Sequence, residues 1–301
     1  MHMSQSPTAP WNNDDRPAAA ADAPLRVAIQ GYPGAFHEIA ARKHFANRSV
    51  TVVACDTFDE LLARVSAADG VDEGIMAIEN SIAGGLQRNY ELLQNSGLTV
   101  DGEVYLRIEQ HLSALPGTTP EQLTEVRSHP MAIAQCRRYF AQYPRLKLVE
   151  MADTALAARE VAEGRLVGVG AIASDLAAAR YGLEVIAPGI ETNKKNFTRF
   201  LTITRRQAVP HRPDKVSLSF VAAHEVGSLH RILGELSLQH ANLTKIQSMP
   251  LVGREWEYRF FCDFILTPAA PHWQTVVDAL RPLTQELRVL GAYRAAPKPV
   301  A

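Results

Sequence analysis

Apolar and polar residues alternate in short blocks along the first two thirds of the chain. Runs of about four to eight mostly apolar residues read as buried strands. The first are Leu25–Gln30, Val50–Ala54 and Gly74–Ile78. Between them lie segments with helical periodicity. These are Ala35–Ala46, a stretch opened by the capping box Thr57-Phe-Asp-Glu60 and running to about Ala67, and Leu86–Asn95. The pattern then restarts with a long strand, Glu103–Ala114, and a short one ending at Val126-Arg-Ser-His129. Pro130 suits the first position of a helix to Ala141. Strand Leu146–Met151, helix Thr154–Glu163, strand Val167–Ala171 and helix Ser174–Tyr181 follow, the last stopped by Gly182. This alternation predicts two α/β units of similar size with largely parallel sheets. The strand opening at Phe200 has no helix after it and is expected to cross back to the first unit.

Beyond His211-Arg-Pro-Asp-Lys215, read as a linker, the texture changes. Strand Val216–Ala222, helix Ser228–His240, strands Asn242–Pro250 and Glu257–Leu266, helix His272–Leu287 and strand Val289–Tyr293 give the order β-α-β-β-α-β. That order predicts a separate ferredoxin-like plait.

Bulk properties narrow the partners. The 301 residues are 47% hydrophobic and 21% charged, with a net charge of -1. No basic field is present to recruit nucleic acid or an anionic membrane. The three cysteines, Cys55, Cys136 and Cys262, are odd in number and far apart, as expected of reduced thiols in a cytoplasmic protein. No apolar run reaches membrane-spanning length. Residues 1–24, rich in Ala, Pro, Asn and Asp, read as a disordered tail without a signal peptide.

Candidate chemistry concentrates between Pro188 and Phe200. An apolar strand there enters a polar segment and leaves through Asn196-Phe-Thr198-Arg199-Phe200. A Thr hydroxyl beside a guanidinium can hold an anionic substrate and donate a proton to it. The same residues also suit an ordinary surface turn. Three polar turns, Gly31-Tyr-Pro-Gly34, Glu79-Asn80-Ser81 and Ser128-His129-Pro130, each follow a strand and precede a helix. Such turns lie at the carboxyl ends of strands and offer helix N-terminal amides to anions. Asn80, Ser81 and Ser128 equally suit simple N-caps. Ser128 and Gln135, seven apart, read as one helix face. His129 suits a general acid or a packing role. His37 lies in the first turn of its helix. The chain lacks Gly-x-Gly-x-x-Gly, a P-loop, His-Glu-x-x-His and Gly-x-Ser-x-Gly. Their absence favours chemistry without a cofactor, or simple binding.

These residues resemble the prephenate dehydratases. The resemblance rests on Gly31-Tyr-Pro-Gly-Ala-Phe-His-Glu-Ile-Ala-Ala41, Ile78-Glu-Asn-Ser-Ile-Ala-Gly-Gly85, Asn89-Tyr-Glu-Leu-Leu93, Ser128-His-Pro with Gln135-Cys136, Asp153-Thr-Ala155, Ala171-Ile-Ala-Ser174, Tyr181-Gly-Leu183 and Asn196-Phe-Thr-Arg-Phe200, in the family's order. Gly227-Ser-Leu229 and Asn242-Leu-Thr-Lys-Ile-Gln-Ser-Met-Pro250 are similar to the family's ACT regulatory domain. The resemblance implies a catalytic domain at 25–208, shaped like a two-lobed type 2 periplasmic binding protein. Lobe 1 would span about 25–101 and 188–206, and lobe 2 about 102–187. An ACT domain would follow at 215–296.

The implied reaction is decarboxylating dehydration of prephenate to phenylpyruvate in phenylalanine biosynthesis, with no cofactor or metal. Thr198 would be the proton donor, with Ser128, Gln135 and Asn80 in catalysis. Ala35, Phe36, Glu79, Ser81, His129, Asn196, Arg199 and Phe200 would bind substrate. Phenylalanine is the implied effector, at Gly227, Ser228, Leu229, Asn242, Leu243, Gln247 and Ser248. A homodimer or homotetramer is implied. The chain departs from the family's Glu-Ser-Arg-Pro at Gln247-Ser-Met249-Pro250 and from Gly-Ala-Leu at Gly227-Ser-Leu229. Both departures fall where the effector would bind, which leaves the strength and sign of its regulation open. The Gly-x-Pro-Gly-Ala opening also resembles the plant arogenate dehydratases. Arogenate is therefore an alternative substrate, and a non-catalytic amino-acid sensor an alternative role.

Overall fold

A computed structural model describes residues 23–206 and 212–299. The expected tail therefore lies, except for Ala23 and Pro24, outside the described residues, as does His211 of the expected linker. The first lobe begins with β1 (Leu25–Gln30), α1 (Phe36–His44), β2 (Val50–Cys55), α2 (Phe58–Ala67), β3 (Glu73–Asn80), the short β4 (Gly84–Gly85), α3 (Gln87–Ser96) and β5 (Thr99–Arg107). The second holds β6 (His111–Ala114), β7 (Glu125–Ser128), α4 (Pro130–Gln135), α5 (Arg137–Phe140), β8 (Lys147–Glu150), α6 (Thr154–Glu163), β9 (Val169–Ala173), α7 (Asp175–Tyr181) and β10 (Glu184–Ala187). As the pattern predicts, β11 (Phe197–Thr204) returns to the first lobe.

The two lobes share one plan. Strand order is β2-β1-β3-β11-β5 in the first and β8-β7-β9-β6-β10 in the second. In each, three parallel strands are followed by an antiparallel pair. The sheets are thus mixed rather than largely parallel. A strand arriving from the other lobe, β6 or β11, enters its sheet from the opposite end and must run antiparallel. The result is the two-lobed architecture of a type 2 periplasmic binding protein.

Three local expectations change with these crossings. The run Glu103–Ala114 is two strands in different sheets, parted at 108–110 where the chain passes between lobes. The helix expected over 130–141 breaks at Cys136, and the Thr192 amide takes the carbonyl of Gln135 there. Glu79 and Asn80 belong to β3 rather than to a turn, because β11 pairs with them.

The lobes meet through the Gly31–Ala35 turn. Ser174 Oγ donates to the Gly34 carbonyl at 2.6 Å, and Tyr181 OH to that of Pro33 at 2.8 Å. Buried Glu38 accepts from the Gly34 amide at 2.7 Å and from Arg180 of the second lobe at 2.9 Å. A Cβ on Gly34, which has φ +95°, would lie 2.7 Å from the Cα of Ala177. Only glycine lets the lobes approach so closely.

The last third forms β12 (Lys215–Val221), α8 (Ser228–Leu238), β13 (Ala241–Pro250), β14 (Tyr258–Leu266), α9 (Trp273–Leu280) and β15 (Glu286–Tyr293). Its antiparallel order, β13-β14-β12-β15, makes it the expected ferredoxin-like plait. α9 stops at Leu280 rather than near Leu287, because Pro282 places the next residues in a tight turn. The two helices cover one face of this sheet. The other face packs on the first lobe, where Met249, Phe261, Leu290 and Tyr293 share one buried cluster with Met76, Ile78, Tyr90, Leu93 and Leu201. Contact is so close that a Cβ on Gly291 would stand 1.9 Å from the Val100 carbonyl oxygen.

Candidate active site

β3 and β11 lie side by side, with Asn80 opposite Thr198. Asn80 Oδ1 accepts from the amides of Ile82 and Ala83, both at 2.9 Å. That fixes the amide group's orientation, so Nδ2 must donate. It reaches Thr198 Oγ1 at 3.0 Å and Asn196 Oδ1 at 2.8 Å. Asn196 Nδ2 in turn donates to Gln135 Oε1 of the second lobe at 3.0 Å. The chain Thr198–Asn80–Asn196–Gln135 thus runs from one lobe to the other across the crossing segment. Its polarity is set throughout by the two backbone amides that anchor Asn80. Among the described residues the Thr198 hydroxyl is bonded only as an acceptor, which leaves its own hydrogen to donate. The Gln135 Nε2 group is likewise a donor without a protein acceptor among them. Donation into a hydroxyl oxygen polarises its O–H bond and strengthens what it donates.

The structure brings these four sequence-selected residues together and moves several others out of contact with the cleft. Arg199 is turned inward, away from the cleft. Consecutive strand residues face opposite ways, so Arg199 points from Thr198 into the contact with the C-terminal sheet. Its guanidinium, 4% exposed, pairs with Glu103, Asp263 and the Tyr293 hydroxyl. Each of its three nitrogens is committed to that contact, and the group faces away from the cleft. Glu79 follows the same rule and accepts from Lys245 Nζ of β13 at 2.9 Å. Phe200 shares the face of Thr198 but lies one step deeper, 1% exposed and edge-on to His37 at 5.0 Å, in the core.

Ser81 staples the crossing segment instead of facing substrate. Its hydroxyl donates to the Lys195 carbonyl and accepts from the Phe197 amide. Ser128 ends β7, not a helix, and its buried hydroxyl donates to the Ile172 carbonyl at 2.6 Å. The Ala35 amide is taken by Tyr32 O at 2.9 Å, so Phe36 and His37 present the open amides of α1. His129 caps α4, its Nδ1 accepting from Met131, and stays exposed.

Gln110 was missed. It is 3% exposed in the crossing between lobes, with Nε2 3.4 Å from Gln135 Oε1 and its own Oε1 unpartnered. Reading 103–114 as one strand concealed that position.

Among the expected effector residues, Gly227, at φ +80°, opens α8, Ser228 and Leu229 begin that helix, and Asn242 and Ser248 lie exposed on β13. Leu243 packs against the plait's own core. The two departures on β13 point elsewhere. Met249 is 5% exposed in the cluster shared with the first lobe. Gln247 Oε1 would lie 3.3 Å from a Cβ on Gly85. Both therefore face the contact between domains.

His37 supplies a pH test. Its ring lies against Phe58 and Phe200, Nε2 accepts from the Ala77 amide at 3.4 Å, and burial pushes its pKa down to about 4. The unfolded value is about 6.5. Stability from the neutral ring is complete above that value and drains away as pH falls toward 4. Between pH 7 and 4.5 the parent protein should lose about 2 kcal/mol more than His37→Gln, measured by urea denaturation.

With this geometry in place, the chain's likenesses are informative. The family profile described as "Prephenate dehydratase" matches residues 27–208. Arogenate dehydratase 5, chloroplastic, of Arabidopsis thaliana is 36% identical over 299 residues, covering 93% of this chain and 70% of that protein. The structure of a prephenate dehydratase in complex with L-Phe from Arthrobacter aurescens aligns at a TM-score of 0.79 and 27% identity, over 92% of this chain and 93% of that one. GqqA, described as a novel type of quorum quenching acylase, aligns at a TM-score of 0.80 and 33% identity, over 90% of this chain and 98% of that one.

Proposed function

The chain belongs to the prephenate dehydratase family of lyases, and from that premise we propose that its cleft converts prephenate to phenylpyruvate. The observation that carries this reading is the Thr198 hydroxyl, which accepts from Asn80 and keeps its own hydrogen for a substrate. The bond from the ring to its carboxylate breaks and releases CO2. Its electron pair flows through the ring and expels the hydroxyl opposite, which the Thr198 hydroxyl hydrogen-bonds as the C–O bond breaks and which leaves as water with a proton drawn finally from solvent. Decarboxylation supplies the electrons, so no general base is needed. A Thr hydroxyl is a weak acid, and its part is a hydrogen bond that strengthens as the hydroxyl departs. Gln135 Nε2 and the Phe36 and His37 amides would hold the substrate carboxylates in place of Arg199.

Two other readings have specific support. The name of the Arabidopsis relative favours arogenate, which bears an amine where prephenate has a keto group and gives phenylalanine directly. Acylase is the activity named for GqqA. It would need a nucleophile paired to a base. Ser128 is bound to a backbone carbonyl, and Thr198 has no imidazole or carboxylate partner among the described residues, so the site favours dehydration.

We read residues 215–296 as an ACT-type regulatory domain. L-phenylalanine would bind in the open pocket beside Ser228, Leu229, Trp256 and Tyr258, between the subunits of a homodimer or homotetramer. The complex of the Arthrobacter protein with L-Phe supports that effector. A cytoplasmic location goes with three buried free thiols, and no helix among the described residues is long and apolar enough to cross a membrane.

Purified protein should form phenylpyruvate from prephenate at neutral pH, followed by absorbance, at a rate altered by L-phenylalanine. Phenylalanine formed faster from arogenate would move the assignment to that substrate. Neither product above the spontaneous rate would leave a non-catalytic sensor or the acylase activity named for GqqA.

A further inference from the structure

The two residues that form the cleft hydrogen bond have neighbours that form the contact between domains. Thr198 pairs with Asn80, and the adjoining ladder pair is Arg199 with Glu79. Thr198 and Asn80 present their side chains to the cleft. Arg199 and Glu79 present theirs to the C-terminal sheet, where each meets a different strand. Arg199 is held by Asp263 on β14, with Tyr293 of β15 on a further nitrogen. Glu79 is held by Lys245 on β13, whose ammonium also lies 5.5 Å from the centre of the Tyr90 ring. Gly85, paired with Glu79 on the far side, faces Lys245 and Gln247 of β13. The register shifts after this pair, where β3 carries the extra residue Ile78 opposite β11, so the ladder is regular only up to Arg199 and Glu79.

We propose that Arg199 and Glu79 are positioning residues: gripped by Asp263 and Lys245, they set the Asn80–Thr198 geometry, so that a shift of the C-terminal sheet changes the reactivity of Thr198. The chemical argument is short. Arg199 is 4% exposed and bonded to Glu103, Asp263 and Tyr293, so a displacement of Asp263 is passed to β11 and swings Thr198, while Lys245 ties Glu79 of the neighbouring strand to the same sheet. A hydrogen bond that must be aligned in the transition state loses effect steeply with misplacement. β13 also carries the pattern departures Gln247 and Met249, which face the same contact. The proposal rests on the dehydratase reading for its kinetic arm alone.

The test compares Asp263→Asn and Lys245→Met with Arg254→Met. Arg254 makes ion pairs with Glu257 and Glu286 of the same domain and does not touch the ladder. Each ladder variant should lower kcat about tenfold with KM within about twofold, while the control leaves both unchanged. Without substrate, amide hydrogen exchange over residues 78–81 and 196–200 should quicken about tenfold in the ladder variants and not in the control. Lys245→Arg should restore both readouts. If exchange in these segments stays at the parent rate in Lys245→Met, the proposal is overturned, whether or not the protein is a dehydratase. A raised KM with unchanged kcat overturns it equally. Should Asp263→Asn fail to fold, Lys245→Met decides, since its partner Glu79 is partly exposed.

Discussion

Thr198→Ala should lower kcat by about a hundred- to a thousandfold and leave KM within a few-fold, as expected when one transition-state donor is removed. The asymmetry follows from the wiring. Asn80 Nδ2 keeps Asn196 Oδ1 at 2.8 Å, so the rest of the chain to Gln135 persists without the threonine. Substrate contacts at the other donors are untouched, and the ground state hardly changes. What disappears is the hydrogen that meets the departing hydroxyl. Thr198→Ser keeps the hydroxyl and loses the methyl that limits χ1; it should retain turnover within about tenfold, because one further rotamer well becomes accessible. Thr198→Val keeps the shape and should match the alanine variant, which separates the loss of the hydroxyl from any change in packing. Steady-state product formation measures all three. Turnover that survives in Thr198→Ala and Thr198→Val within a few-fold would pass the donor role to the exposed imidazole of His129.

The neighbouring arginine shows how sequence and structure part company. The motif sets Thr198 and Arg199 side by side, and in a turn consecutive side chains could converge on one site. On a strand they cannot, and the period of two sends them to opposite faces. Glu79 and Asn80 repeat the lesson on β3. The polar-to-apolar change at Phe200 did signal a returning strand. What lay hidden was that the strand starts at Phe197, because Thr198 and Arg199 are polar and yet buried against partners from other strands. The C-terminal plait was legible because six elements in a fixed order imply one topology. Its docking was not, since Glu103, Lys215, Asp263 and Tyr293 are far apart in the chain and each looks like an ordinary surface residue in its own segment. Gln135 is marked by its spacing from Ser128 and Asn196 by the motif around Thr198, whereas Gln110 carries no local signal. The register of its neighbours changes from one sheet to another without a glycine or proline to mark the passage.

Arg199→Met should destabilise the protein by about 3–5 kcal/mol, the range for removing one partner of a buried ion pair. Burial works to raise the Asp263 carboxyl, and the charges of Arg199 and then Lys215 overcome it, so the group is held below the usual carboxylate range. Glu103 would survive the substitution, since Lys215 Nζ reaches both its oxygens at 2.9 and 2.8 Å. Asp263 would keep the Ser217 hydroxyl at 2.6 Å but lose its nearest cation. Arg199→Lys should recover only part of the loss, because a single ammonium cannot span Glu103, Asp263 and Tyr293 as the planar fork does. The sign of the pH dependence separates this cause from mere loss of packing. In the parent, the depressed Asp263 pKa contributes stability that is present above the unfolded value of about 3.9 and lost as pH falls through the folded one. In the variant, burial of that carboxyl is opposed only by Lys215 and Ser217, so its pKa should rise. The penalty is then full at neutral pH and shrinks as acid protonates the carboxyl. Urea denaturation of parent and Arg199→Met at pH 7 and pH 5 should show the gap narrowing at the lower pH. Arg199→Met combined with Asp263→Leu should close much of it at pH 7, since no orphaned charge remains. A gap independent of pH, unmoved by the second substitution, would mean that the arginine stabilises the domain contact through its bulk and not through its charge.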